Sequence, residues 1–116
     1  MPEELAEDLN EVLLRGRVSS APVERELPSG TSILSFRVAV GRSKTAMTAG
    51  SRQTSDWVDC AAWGARAKKS VQSWGVGDRV EVHGSFRRRF IRAESGVASS
   101  RVEVEVLRGR MVTRAG

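Results

Sequence analysis

Trp57 and Trp63 stand six residues apart in the stretch Ser55-Asp56-Trp57-Val58-Asp59-Cys60-Ala61-Ala62-Trp63-Gly64. Read as a β-strand, the stretch alternates faces with period two. Val58, Cys60 and Ala62 point one way, small and apolar, suited to a core. Trp57, Asp59, Ala61 and Trp63 point the other way. Two large aromatics beside an acid form a platform on which flat rings stack. The chain carries 19 Lys+Arg against 14 Asp+Glu. That balance attracts polyanions, so the rings expected on the platform are nucleic-acid bases. An extended strand sets the two tryptophans roughly 20 Å apart, far enough to serve separate bases along one backbone path.

The rest of the composition argues against catalysis. One histidine and one cysteine do not make a zinc site of usual spacing. Asp56 and Asp59 are three apart in a strand, hence on opposite faces, and share no metal. Walker-type loops, paired carboxylates and Ser/His/Asp sets do not stand out. No enzyme activity, cofactor or metal is expected. Cys60 falls on the apolar side of its strand and reads as a buried small hydrophobe. No basic-then-apolar segment opens the sequence as a signal peptide would, and no apolar run has membrane-spanning length, so a soluble cytoplasmic protein that does not enter a membrane is expected.

Charge is unevenly placed. Residues 1–12 hold Glu3, Glu4, Glu7, Asp8 and Glu11 and no base, leaving 19 basic against 9 acidic residues in the remainder. Arg37, Arg42, Lys44, Arg52, Arg87 and Arg89 are the candidate phosphate contacts, with Arg15 and Arg17 as further possibilities.

These residues need elements to position them. Residues 10–20 read as a strand with Val12, Leu14, Gly16 and Val18 on one side, interrupted by Ala21-Pro22. Leu27-Pro28-Ser29-Gly30 is a turn. Residues 31–41 form a second strand with Leu34, Phe36, Val38 and Val40 on its apolar face. Residues 42–54 are small, polar and basic without a period, a long mobile hairpin loop suited to clamping phosphates. After the tryptophan strand, residues 64–74 place Ala67, Val71 and Trp74 on one helical stripe, so Trp74 belongs to the core. Residues 79–84 alternate again with Val80 and Val82 inward. Residues 84–92 continue that strand or begin another. Residues 93–100 form a hairpin tip. Residues 101–110 close the fold, with Val102, Val104 and Val106 in and Glu103 and Glu105 out. At 116 residues the chain fits one domain. About five strands with one helix between the third and fourth is the element order of an all-β OB-fold barrel. An up-and-down meander is the alternative.

In this order the landmarks resemble the bacterial single-stranded DNA-binding proteins. They are Asn10-Glu11-Val12-Leu13-Leu14-Arg15-Gly16, Pro28-Ser29-Gly30-Thr31, Trp57 through Gly64, Gly77-Asp78-Arg79-Val80-Glu81-Val82-His83-Gly84, and Phe86-Arg87-Arg88-Arg89. The resemblance runs from residue 10 to about 112. It implies a five-stranded Greek-key OB-fold at 10–112, flanked by an acidic extension at 1–9 and a short end at 113–116. It also implies a homotetramer that wraps single-stranded DNA in replication, recombination and repair, near the nucleoid. Trp57 and Trp63 match base-stacking positions. The family often has an aromatic where Lys44 stands. Another aromatic often follows the arginine-rich strand, a place that falls on Ile91, or on Phe90 with a slip of one. Phe90 is therefore a third stacking candidate. The family's acidic tail, which recruits other proteins, has no counterpart before Gly116, so no tail-mediated recruitment is expected. An OB-fold adaptor that binds protein, or a single-stranded RNA binder, are the alternative readings. Leu13 and Ile33 are candidates for an interface between copies.

Overall fold

The computed structural model describes residues 7–92 and 95–116. A helical turn or an acidic tail at the start of the chain therefore lies largely outside the described residues, as does part of the tip expected at 93–100. Five strands and one helix follow in order: β1 (Val12–Glu26), β2 (Ser32–Gly41), β3 (Ser55–Ala62), α1 (Ala65–Val71), β4 (Arg79–Arg92) and β5 (Ala98–Thr113). The strands close into a barrel in the order β1-β2-β3-β5-β4. Neighbours are antiparallel except β3 and β5, which meet in parallel at Cys60 and Val104 and at Ala61 and Glu105. This is the expected OB-fold barrel. The parallel contact and the closure exclude an up-and-down meander.

Alternating small and β-branched residues build the interior. Val18, Phe36, Val38, Cys60, Ala62, Val80, Val82, Val104 and Val106 form one buried cluster, joined by Ala67 and Val71 from α1 and by Trp74 just after it. The helix is shorter than its apolar stripe, but the stripe points as expected. Trp74 is 4% exposed and packs against the core. Cys60 is buried, as its strand parity requires.

Closure demands tight backbone approaches. A Cβ on Gly16 would collide with the Ala39 carbonyl oxygen, and one on Gly84 with that of Glu105. Gly16 sits where β1 hands over from β4 to β2, since the β4 pairing ends at Arg17. Gly84 sits beside a register shift between β4 and β5. At both positions a side chain would block the close approach of the neighbouring strand.

Several expectations need correction. β1 does not stop at Ala21-Pro22 but runs to Glu26, with register shifts between Val18 and Ser20 and between Ser20 and Val23. Pro22 falls between the paired residues Ser20 and Val23, at a register shift where a residue without an N–H is tolerated. β4 is one continuous strand, the first of the two readings open for residues 84–92, whereas β5 is longer at both ends than the span 101–110. Ile33 is fully buried, so it is not available to an interface, whereas Leu13 is 64% exposed. Ala61 and Glu103 lie on the outer face of their strands, yet both are buried. Val102 points to the core side but is exposed. Past Ser85, β4 pairs only with β5, and the two strands run on as an arm, with Val102 lying beyond the β5 residues that pair with β3.

At the root of that arm a side chain replaces a strand. Asn10 Oδ1 accepts the Phe86 N–H at 2.8 Å, and Asn10 Nδ2 donates to the Phe86 carbonyl at 2.7 Å. The turn before β2 forms as expected. Gly30 N–H donates to the Leu27 carbonyl at 2.8 Å, and Gly30 adopts φ +89°, the left-handed conformation glycine favours.

Candidate nucleic-acid interface

β3 presents Trp57 outward, 58% exposed, and Trp63 follows its last residue, 36% exposed. β2 lies beside it with Arg37 opposite Asp59 and Ala39 opposite Trp57. On the other side comes β5, with Glu103 and Glu105, and then β4, with Arg87 and Arg89. Barrel closure thus gathers both tryptophans and arginines from two further strands onto one outer surface. A groove of about 340 Å³ beside Trp63 is lined by Arg87, Arg88, Arg89, Glu103 and Glu105.

The arginines of this surface are paired. Arg37 Nε donates to Asp59 Oδ1 at 2.8 Å, and the guanidinium carbon sits 4.3 Å from the centre of the Trp57 ring. That is a close cation–π contact. Arg89 stands opposite Arg101 in the ladder. Like charges repel there, and Arg89 turns diagonally toward Glu103, its Nε 2.7 Å from Oε1. The N–H is not aimed at that oxygen, so the contact is ionic without a hydrogen bond. Arg89 also lies 5.9 Å from the centre of the Trp63 ring. Arg87 faces Glu103 but turns one step further, donating from Nε to Glu105 Oε1 at 3.0 Å.

Arg42 differs. It donates from both Nε and Nη2 to Asp56 Oδ1, at 3.0 and 2.8 Å, at the root of the long loop. The hydrogen bond from Arg42 holds the Asp56 carboxyl below its usual range. Lys44 and Arg52 stand exposed in that loop, with no carboxylate partner among the described residues. The loop is internally tied, with the Thr48 hydroxyl donating to the Ser43 carbonyl at 2.7 Å.

The other candidates lie elsewhere. Phe90 is 76% exposed, but it alternates with Arg87 and Arg89 and shares the opposite face of the arm with Phe86. Arg15 binds Glu81 at 2.7 Å on the β1–β4 sheet. A concavity of about 630 Å³ on that sheet is lined by Leu13, Glu81, His83, Leu107 and Arg108. It has no exposed aromatic. Asp59 reads from sequence as the acid beside the tryptophans, but neither it nor Glu103 nor Glu105 reads there as the partner of an arginine. Their parity was readable, but their arginine partners depend on a register that only the folded barrel fixes. Among the described residues no group of three or more His, Cys, Asp or Glu could hold a metal ion. No helix there is long and apolar enough to cross a membrane.

Comparison with known proteins gives a consistent result. The model of the single-strand binding protein family matches residues 9–112. Single-stranded DNA-binding protein A of Bacillus subtilis is 30% identical over 88 residues, 76% of this chain and 50% of its own length. Single-stranded DNA-binding protein 1 of Chlorobaculum tepidum is 28% identical over 85 residues, 73% of this chain and 52% of its own. The chain spans about half the length of the curated relatives it matches. Among solved structures, Plasmodium falciparum SSB in complex with ssDNA shares the fold. Its TM-score is 0.71 at 20% identity, over 94% of this chain and 97% of that one.

Proposed function

The chain belongs to the single-strand binding protein family, and from that premise we propose that its barrel binds single-stranded DNA without sequence preference. Bases stack on Trp57 and Trp63 while the arginines of β2 and β4, with Lys44 and Arg52 of the loop, meet the phosphates. Residues 10–112 are the binding unit. It acts without catalysis, protecting exposed strands in replication, recombination and repair in the cytoplasm.

One observation carries this reading. Two exposed tryptophans share an outer sheet face with arginines from strands on both sides. Stacking accepts any base, because every base has a π-face, and phosphate contacts carry no sequence information. Duplex DNA is disfavoured because its bases are already stacked. Self-association is part of the proposal. Leu13 and Leu107, 64% and 48% exposed, both line the concavity on the β1–β4–β5 side, away from the tryptophans.

Titration of tryptophan fluorescence with oligo-dT at several salt concentrations tests the reading. Quenching that weakens as salt rises is expected, with duplex of the same length binding less well. Equal affinity for duplex and single strand, or no dependence on salt, would sink it. Oligo-U in parallel separates DNA from RNA preference, and light scattering reads the assembly state.

A further inference from the structure

Arg37 and Arg87 share a way of being held that Arg42 and Arg15 do not. Each gives only its Nε to a carboxylate of the neighbouring strand, Arg37 to Asp59 and Arg87 to Glu105. Among the described residues their terminal amino groups make no hydrogen bond. Arg42 and Arg15 instead commit Nε and Nη2 together, to Asp56 and to Glu81. A guanidinium held by Nε is fixed in direction, yet keeps its outer donors free.

We propose that Asp59 and Glu105 are positioning residues for the DNA backbone, each fixing one arginine by its Nε and turning that arginine's two terminal amino groups toward a phosphate. This rests on the function proposed above. Two non-bridging phosphate oxygens match the terminal fork of a guanidinium. A free arginine gives up substantial rotamer freedom when it binds, and a tethered one has already given it up. Asp59 does a second thing. It keeps the Arg37 guanidinium against one face of Trp57, so an incoming base stacks on the other face and its phosphate finds Arg37 beside it.

The competing idea is that these acids merely oppose a polyanion, and the two ideas predict opposite signs. Removing one carboxylate makes the protein more positive by one charge, so charge alone demands tighter binding from Asp59→Asn. Positioning demands binding about two- to tenfold weaker at low salt, followed by anisotropy of labelled oligo-dT on the full chain. The loss should be restored by Asp59→Glu and should vanish when Asp59→Asn is added to Arg37→Ala. Glu105→Gln, alone and with Arg87→Ala, repeats the test at an independent pair should Asp59→Asn lower stability. Unchanged or tighter binding by the folded variants overturns the proposal, while wild-type binding keeps the function intact. A loss that persists without the arginine, or that Asp59→Glu does not restore, marks a merely structural role and also overturns it. A wild-type chain that ignores oligo-dT overturns the function and this inference together.

Discussion

The rings of Phe36 and Trp74 meet edge to face, their centroids 5.4 Å apart and their planes at 85°. β2 supplies one ring and the turn after α1 the other, so this contact fastens the helix end to the barrel. Trp74 also presses on Gly109, where an added Cβ would lie 2.8 Å from the indole. Trp74→Ala should therefore cost about 3–5 kcal/mol of stability, read from urea unfolding. In the folded wild type, Trp74 emission should resist acrylamide quenching.

Trp57 and Trp63 stand outside the core cluster, and their loss should be felt in binding instead. Each single change to alanine should weaken oligo-dT binding by about 1–3 kcal/mol. Melting temperature should barely move. In the double variant only Trp74 still emits, and DNA should no longer quench the signal.

Asp78 gives the fold an acid limit. It is 2% exposed, and its oxygens accept the N–H of Gly75 at 2.8 Å and of Ala115 at 2.7 Å. The Gly75 bond foremost, then the Ala115 bond, holds its carboxyl below the usual aspartate range. A carboxyl depressed in the folded state contributes fully above its unfolded pKa of about 4 and loses that contribution as pH falls through the lower folded value. Asp78→Asn should be less stable than wild type at pH 7, and the gap should close as pH drops below 4. Unfolding curves across that range check both statements.

Burial pushes the Cys60 thiol up to about 12, with the Asp59 and Glu103 charges adding to it. Thiolate is the reactive form. At pH 8 the native protein should not react with a disulfide reagent such as DTNB, and denaturant should release one equivalent of thiol.

Strand parity reads a side chain's face directly, which is why the core valines, Cys60 and the outward tryptophans were legible in the sequence, while Trp74 was legible from the helical stripe it shares with Ala67 and Val71. Parity says nothing about what stands on the next strand. The diagonal turn of Arg89 toward Glu103 follows from Arg101 lying opposite it, and that depends on a register set by the Gly84 irregularity. Val102 misled for a related reason: it reads inward by parity, but it lies beyond the β5 residues that pair with β3. Phe90 was raised by resemblance, while its parity had already placed it with Phe86 and away from Arg89.

The amide of Asn10 closes a gap that a neighbouring chain could otherwise fill. Where β4 outruns β1, its edge exposes peptide groups able to recruit a foreign extended segment, the first step of sheet-to-sheet aggregation. Asn10 occupies the innermost of these at Phe86 with a donor and an acceptor of its own. A single side chain thereby satisfies both peptide groups of Phe86 at the point where the arm departs. Further out, the open edge of β4 carries Arg87, Arg88, Arg89 and Arg92, which repel a second copy of themselves.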